Sequence, residues 1–170
     1  MIKSIAALLL VLAPTFAAAH EVVRHKLPNN STFPISAAVE VPAGATTVYL
    51  SGTVPPVADA SAPANSPAAY GSTQAQTVSV LNAIAAQLKG LGLTMGDVVK
   101  MQVFLVGDPA MENRMDFGGF MKGYSEFFGT ADQPKLPVRS TMQVAALANP
   151  GFLVEIEVTA VRPKAAPPAR

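Results

Sequence analysis

The sequence predicts an α+β fold in a single domain built on one mixed sheet. Stretches with the alternation of β-strands outnumber stretches with helical periodicity, and they follow one another in the order β-β-α-β-α-β-β. The two helices are too few and too unevenly spaced for a doubly wound sheet, so we expect both on one face of a mixed or antiparallel sheet. A partner subunit is then the simplest cover for the other face.

The first two predicted strands cover 38–41 and 47–52, and a tight turn at 42–44 joins them. Residues 20–34 are polar and contain proline and asparagine, which predicts an extended N-terminal arm. Residues 55–69 are rich in alanine, proline, serine and asparagine. Such a segment cannot form a packed element, so we expect a surface loop.

Two segments have helical character. Thr73 and Gln76 have the spacing of a capping box, and apolar residues then recur every three or four positions until Gly90. The second helix has an aromatic stripe between Phe117 and Phe128, which three intervening glycines weaken. These aromatic residues are more typical of a core than of a ligand-binding box.

The remaining strands flank the second helix. The third is predicted at 99–105, and the last two at 140–147 and 152–161, joined through 149–151. Alternation in the last strand puts its aliphatic residues on one face and three polar residues on the other. Those polar residues are Glu155, Glu157 and Thr159.

The N-terminal residues have the layout of a secretory signal peptide at 1–19. A lone Lys3 precedes an apolar run, and Ala17 and Ala19 supply the small residues of a cleavage site. The run is too short for a spanning helix, although an uncleaved membrane anchor stays open as the alternative. We expect a periplasmic or secreted protein, free of the membrane after cleavage, with a domain at 35–162 and a disordered tail at 163–170.

Composition excludes several kinds of chemistry. The 170 residues carry a net charge of +1 without a cluster of cations, which argues against a nucleic-acid partner. There is no cysteine, so thiolate catalysis and disulfides are excluded. The only histidines are His20 and His25, close to the N-terminus. A copper site at His20 would lack a second ordered ligand, and we predict neither a metal nor a cofactor.

Polar residues at strand ends are the candidates for a site. Arg139 lies two residues after Pro137 and enters a strand of small and apolar residues, where its planar fork could bind a carboxylate. Pairing of Arg139 with Asp132 or Glu157 is an equally open interpretation. For Glu155, the alternative is a solvated carboxylate on a strand.

Six segments, in order along the chain, resemble the reactive intermediate deaminase (RidA, or YjgF) family over residues 33–162. They are Val48-Tyr-Leu-Ser-Gly52, Gln74-Ala-Gln-Thr77, Leu93 to Leu105, Tyr124-Ser-Glu-Phe-Phe128, Pro137-Val-Arg-Ser-Thr-Met-Gln-Val-Ala-Ala-Leu147 and Val154-Glu-Ile-Glu-Val-Thr-Ala160. Each motif alone is weak, but six in the correct order are specific.

The resemblance implies a chorismate-mutase-like fold, a homotrimer with clefts between subunits, and cofactor-free hydrolysis of enamines and imines to 2-keto acids and ammonia. It assigns Arg139 to the substrate carboxylate and Glu155 to the attacking water. It further implies a substrate-binding lining from Ser51, Gly52, Ser140 and Thr141. The expected partner is a small carboxylated imine or keto acid.

Two positions depart from the family pattern. Ile35 stands where the archetype has a tyrosine, and Met121 where it has an asparagine, so the cleft is expected to be more apolar. This leaves a second hypothesis open, a non-catalytic module that binds carboxylates or keto acids or stabilises proteins. Ribonuclease activity is attached to the family by name, but the chain lacks the histidine pairs and basic patches that would favour it.

Overall fold

The computed structural model describes residues 21–162, which contain six strands and two α-helices. The predicted signal peptide at 1–19 and the predicted tail at 163–170 lie outside the described residues. The elements are β1 (Val23–Lys26), β2 (Ser36–Glu40), β3 (Thr46–Thr53), α1 (Thr73–Gly90), β4 (Val98–Val106), α2 (Phe117–Tyr124), β5 (Val138–Val144) and β6 (Val154–Arg162).

The main sheet has the strand order β3-β6-β4-β5 and is mixed, as predicted. β6 is antiparallel to both of its neighbours, whereas β4 and β5 are parallel. A parallel pair needs a crossover, and α2 lies in the connection between these two strands. Because β5 is the last strand in this order, it forms one edge of the sheet. The α+β prediction is confirmed.

The hydrophobic core lies between this sheet and the two helices. Aliphatic residues of α1 and aromatic residues of α2 pack on alternate residues of β4 and β6, which the predicted alternation assigned to the inner face. Fully buried members include Leu81 and Ile84 from α1, Phe120 and Tyr124 from α2, and Met101, Val103, Ile156 and Ala160 from the sheet. The polar residues of β6 lie on the opposite, helix-free face.

The predicted pairing of the first two strands is wrong. β2 pairs with β1, which lies within the supposed arm, while β3 pairs with β6. Gly44 has φ +84° in the turn after β2, and β3 then continues into the main sheet. There Val48 and Leu50 of β3 pack against the core, so burial in the large sheet decides the partner over sequence proximity.

Arg24 fastens the small β1–β2 sheet to the main one. Its Nε donates to the Leu136 carbonyl at 3.0 Å, and its Nη2 donates to the carbonyls of Gly96 and Val98 at 3.0 and 2.8 Å. Burial lowers the pKa of Arg24, and nearby Asp97 opposes that shift. The supposed arm is therefore an ordered part of the fold, docked at the start of β4 and at the segment before β5.

The start of α1 also differs from its prediction. Ser72 is the N-cap and accepts from the Ala75 amide, so Thr73 is already helical. The buried Gln76 side chain donates to the carbonyls of Gly71 and Gly151 and accepts from the Leu153 amide. Its role is therefore to join α1 to the turn before β6.

The segment at 55–69 is a largely exposed loop, as predicted. Its end is fixed by the Tyr70 hydroxyl and the Asn149 side chain, which both donate to the Ala64 carbonyl. Of the helices at 21–162, none has the length and apolar character needed to span a membrane.

Candidate functional site

Arg139 belongs to the edge strand β5, and its side chain points to the face of the sheet that the helices cover. It pairs with Met101 of β4, and paired residues of neighbouring strands face the same way, so its side chain lies on the core face. The Arg139 Cζ atom lies 4.2 Å from the ring centroid of Tyr124, 5.0 Å from that of Phe120 and 5.4 Å from that of Phe33. These are cation–π distances, and three rings form an aromatic cage around the guanidinium.

The polar contacts of this guanidinium are sparse. Nη2 donates to the Met121 Sδ at 3.2 Å, and a thioether is only a weak acceptor. Nη1 is buried and has no hydrogen-bond partner. Within residues 21–162, Arg139 forms no ion pair, so pairing with Asp132 or Glu157 does not occur.

Burial lowers the pKa of Arg139, and the neighbouring Tyr124 opposes that shift. Arginine nevertheless stays charged at neutral pH. A buried cation without a counter-ion is costly, and a bound anion relieves that cost. This arrangement could therefore hold an anion at the guanidinium.

Tyr124 joins the cage to the segment before β2. Its hydroxyl donates to the Pro34 carbonyl at 2.8 Å, and burial raises the pKa of Tyr124 to about 12, although Arg139 acts in the other direction. Phe33 stacks on Phe117 with centroids 6.5 Å apart. One aromatic cluster thus fixes both the guanidinium and the chain that leads into Ile35.

A cavity of about 300 Å³ opens between the β1–β2 sheet and the starts of β4 and β5. Ile35 and Arg139 both line it, whereas the side chains of Val138 and Ser140 alternate with Arg139 and lie on the opposite face of the sheet edge. Thr141 lies two residues beyond Arg139 on the same face of β5, and its Oγ1 is buried without a partner. The lining residues are Leu27, Ile35, Ser36, Ala37, Lys100, Met101, Val138, Arg139 and Ser140.

Glu155 and Gly52 form a second cluster on the other side of the sheet. Glu155 pairs with Phe104 on the helix-free face of β6, and the strand register between β3 and β6 shifts between Leu50 and Thr53. A Cβ on Gly52 would come within 2.8 Å of the Glu155 Cδ. The carboxylate therefore lies directly over Gly52, where only a glycine leaves room for it. Ser51 is exposed beside this pair.

The structure thus divides the predicted site residues between two locations. Arg139 and Thr141 lie at the β5 edge, and Ser140 lines the adjoining cavity, whereas Glu155 lies two strands away on β6 and Gly52 three strands away on β3. Two strand spacings and three residues along the strands put the Cα atoms of Arg139 and Glu155 roughly 14 Å apart. They also face opposite sides of the sheet, so one subunit does not bring them to one small molecule.

Sequence reasoning missed the aromatic cage. The four-residue spacing of Phe120 and Tyr124 predicted a buried stripe, which is confirmed, but no local signal indicated that a cation would stack on it. Phe33 gave no signal at all, because its contact with Arg139 joins residues far apart in sequence.

Comparison with known proteins gives consistent matches. The family model described as endoribonuclease L-PSP matches residues 43–162. A RutC family protein from Haemophilus influenzae is 35% identical over 88 residues, which are 52% of this chain and 62% of that protein. The match therefore spans less than two thirds of that relative.

Two solved structures share the fold. E. coli TdcF, determined with bound serine, is 29% identical with a TM-score of 0.52, and the match covers 78% of this chain and 91% of TdcF. YyfB from Yersinia pestis, of the Rid protein family, is 24% identical with a TM-score of 0.59, and the match covers 82% and 96%.

Proposed function

Because this chain belongs to the endoribonuclease L-PSP family, the family of the YjgF and Rid proteins, we propose that it hydrolyses reactive enamines and imines to 2-keto acids and ammonia without a cofactor. The observation that carries this proposal is Arg139, a caged guanidinium with a buried, partner-free Nη1 beside a cavity. TdcF binds serine, whose carboxylate is the group that such an arginine would take.

In the proposed reaction, Arg139 binds the substrate carboxylate and so fixes the position of the neighbouring imine carbon. Glu155 accepts a hydrogen bond from a water molecule, takes its proton as the water oxygen attacks, and later returns that proton to the nitrogen. The water oxygen forms a bond to the imine carbon, and the C=N π electrons move to nitrogen. The resulting carbinolamine forms the keto group as its C–N bond breaks, and nitrogen leaves as ammonia after protonation. An enamine first becomes the imine by protonation at carbon.

Such a reaction needs Arg139 and Glu155 at one cleft, and we propose that two subunits of a homotrimer supply them. One subunit contributes the β5 edge with Arg139, Ser140 and Thr141, and the next contributes Ser51, Gly52 and Glu155. The separation of the two clusters within one subunit supports this arrangement. The helix-free face also carries Tyr49, which is 80% exposed and available for burial by a partner. We further propose that the mature protein acts in the periplasm or outside the cell.

The test measures ammonia and 2-keto acid release from freshly generated amino-acid imines, with spontaneous hydrolysis subtracted. Arg139→Ala should reduce kcat/KM at least about a hundredfold, because it removes a charge-assisted, desolvated anchor. Arg114→Ala is the matched control, since the Arg114 side chain is 73% exposed. An Arg139→Ala variant as fast as the wild type would contradict the proposal.

A non-catalytic module that binds keto acids is the second candidate. It is favoured by one observation: Arg139 and its aromatic cage lie together in one subunit, whereas Glu155 of the same subunit lies on the opposite face of the sheet. This candidate predicts that the protein binds a 2-keto acid stoichiometrically, that the binding depends on Arg139, and that imine hydrolysis is not accelerated. Calorimetry without a binding signal would exclude it.

A further inference from the structure

Met121 gives the Arg139 guanidinium a weak hydrogen-bond acceptor. Its Sδ accepts from Nη2 at 3.2 Å, and Nη1 of the same guanidinium is buried without a partner. A thioether is a poor acceptor, so it competes little with an anion for these donors. The chemical state of the Met121 sulfur therefore affects how freely the guanidinium binds an anion.

The sulfur is also the atom of this pair that oxidation changes. Oxidation of methionine adds one oxygen and turns a flexible apolar side chain into a polar one. Met121 lies on α2 and is only partly buried, whereas Met101 of β4 is fully buried. A small hydroperoxide therefore reaches the Met121 sulfur more readily than that of Met101.

We propose that Met121 is a reversible oxidation site whose sulfoxide blocks anion binding by Arg139. Sδ already lies 3.2 Å from Nη2, and the methionine side chain has three rotatable bonds. A small rotation therefore brings a sulfoxide oxygen within hydrogen-bonding distance of the guanidinium, where it accepts a charge-assisted hydrogen bond. The inference rests on the part of the proposed function in which Arg139 binds a carboxylate, and it adds a regulation of that site.

The oxidant is a hydroperoxide, of which hydrogen peroxide is the simplest. A lone pair of the Met121 sulfur attacks one peroxide oxygen, so that an S–O bond forms as the O–O bond breaks. The other oxygen leaves as water after proton transfer. Sulfur loses two electrons and the peroxide gains two. Methionine sulfoxide reductases reverse the change, with one enzyme for each sulfoxide epimer.

The experiment treats the whole protein with hydrogen peroxide, locates oxidised methionines by mass spectrometry of its peptides, and measures the affinity for pyruvate by calorimetry. We expect Met121 to gain one oxygen and the affinity to fall at least about tenfold, because pyruvate must displace a charge-assisted hydrogen bond. Methionine sulfoxide reductases should restore the affinity. An oxidised Met121 with unchanged affinity would overturn the inference, as would a Met121 that stays unoxidised when more exposed methionines are fully oxidised.

Two variants separate Met121 from other methionines that peroxide reaches. Met111 and Met142 are 41% and 37% exposed, so the same treatment oxidises them. The double variant Met111→Leu, Met142→Leu keeps Met121 and should lose affinity as the wild type does. Met121→Leu removes the sulfur, and its affinity should be equal before and after peroxide. A Met121→Leu variant that loses as much affinity as the wild type would contradict the proposal.

Failure of the proposed function gives a different pattern, in which the untreated protein neither hydrolyses imines nor binds pyruvate. A crystal structure of the oxidised protein then decides the inference without a ligand. A Met121 sulfoxide oxygen within about 3.2 Å of an Arg139 Nη atom supports it. A sulfoxide oxygen that points away from the guanidinium refutes it.

Discussion

The ring of Tyr124 lies 4.2 Å from the Cζ of Arg139, while its hydroxyl holds the Pro34 carbonyl at 2.8 Å. One side chain therefore connects α2, the guanidinium on β5 and the entry to β2. Residues of β2 and β5 line the cavity, so a change at Tyr124 should affect both stability and binding.

Tyr124→Phe keeps the ring and removes only the hydroxyl. The Pro34 carbonyl loses its donor, so we expect the free energy of unfolding to fall by about 1 kcal/mol. Denaturant unfolding near pH 7 measures this change. Tyr49→Phe, at a position that is 80% exposed, is the control and should not shift the midpoint. Equal midpoints for all three proteins would contradict the assigned role of the hydroxyl.

The same hydroxyl predicts a dependence on alkaline pH. Burial raises the pKa of Tyr124 to about 12 in the folded protein, whereas an ordinary tyrosine has a pKa near 10. The neutral form is therefore favoured by folding, and its contribution is full below pH 10 and is lost as pH rises towards 12. The loss is roughly 2 kcal/mol.

Ultraviolet titration of tyrosinate checks this shift directly. Subtracting the curve of Tyr124→Phe from that of the wild type isolates one ionisation, which should have its midpoint near pH 12. A difference curve centred near the ordinary value of pH 10 would show that Tyr124 is not buried beside Arg139 as described.

Features of this fold that depend on contacts between residues close in sequence could be predicted, and features that depend on distant contacts could not. Alternation in β6 and periodicity in α1 and α2 depend on nearby residues, and both gave the correct buried faces. The partner of β3 depends on which strand offers more apolar area, and the local turn at 42–44 was misleading. Gln76 likewise matched a capping pattern but forms hydrogen bonds with residues far away in sequence.

In the candidate site, too, residue types could be predicted from the sequence, but their arrangement in space could not. Arg139 and Glu155 could be selected by type and by resemblance, and the structure gives Arg139 no competing ion pair among residues 21–162. Neither the cage nor the opposite facing of Arg139 and Glu155 could be derived locally, because both depend on the register of β5 and β6 against β4.

Gly52→Ala tests the contact between β3 and β6. Its Cβ would come within 2.8 Å of the Glu155 Cδ, so the carboxylate must move. A displacement of about 1 Å at a catalytic group costs about a hundredfold in rate, and we expect a loss of that order in kcat. The affinity for 2-keto acids should change much less, because Arg139 is untouched.

Gly90→Ala is the matched control for that substitution. A Cβ at Gly90 meets nothing within 4 Å, and the residue lies at the end of α1, where alanine is a better helix former. It should keep full activity and equal or raise the stability. A Gly52→Ala variant with the activity of Gly90→Ala would show that the Glu155 carboxylate does not act from this position.

RNA cleavage is the activity that the family description suggests, and we expect none. Among residues 21–162 the single histidine is His25, whose Nε2 lies 2.6 Å from Glu40 Oε1 at an exposed position. General acid-base cleavage of RNA would lack an evident pair of groups. Single-stranded RNA incubated with the protein in chelator should stay as intact as RNA in buffer, and Arg139-dependent fragments would contradict this expectation.

Mixing of inactive subunits tests the shared cleft. Arg139→Ala and Glu155→Gln should each be inactive alone. If each cleft takes Arg139 from one subunit and Glu155 from the next, random mixing in equal amounts restores about one quarter of the clefts. A cleft formed within one subunit would regain nothing.

The double variant mixed with wild type provides the control, since it leaves about one quarter of shared clefts active but about one half of clefts formed within single subunits. Recovered keto-acid release in the first mixture, together with the quarter value in the second, requires that neighbouring subunits complete each other's site.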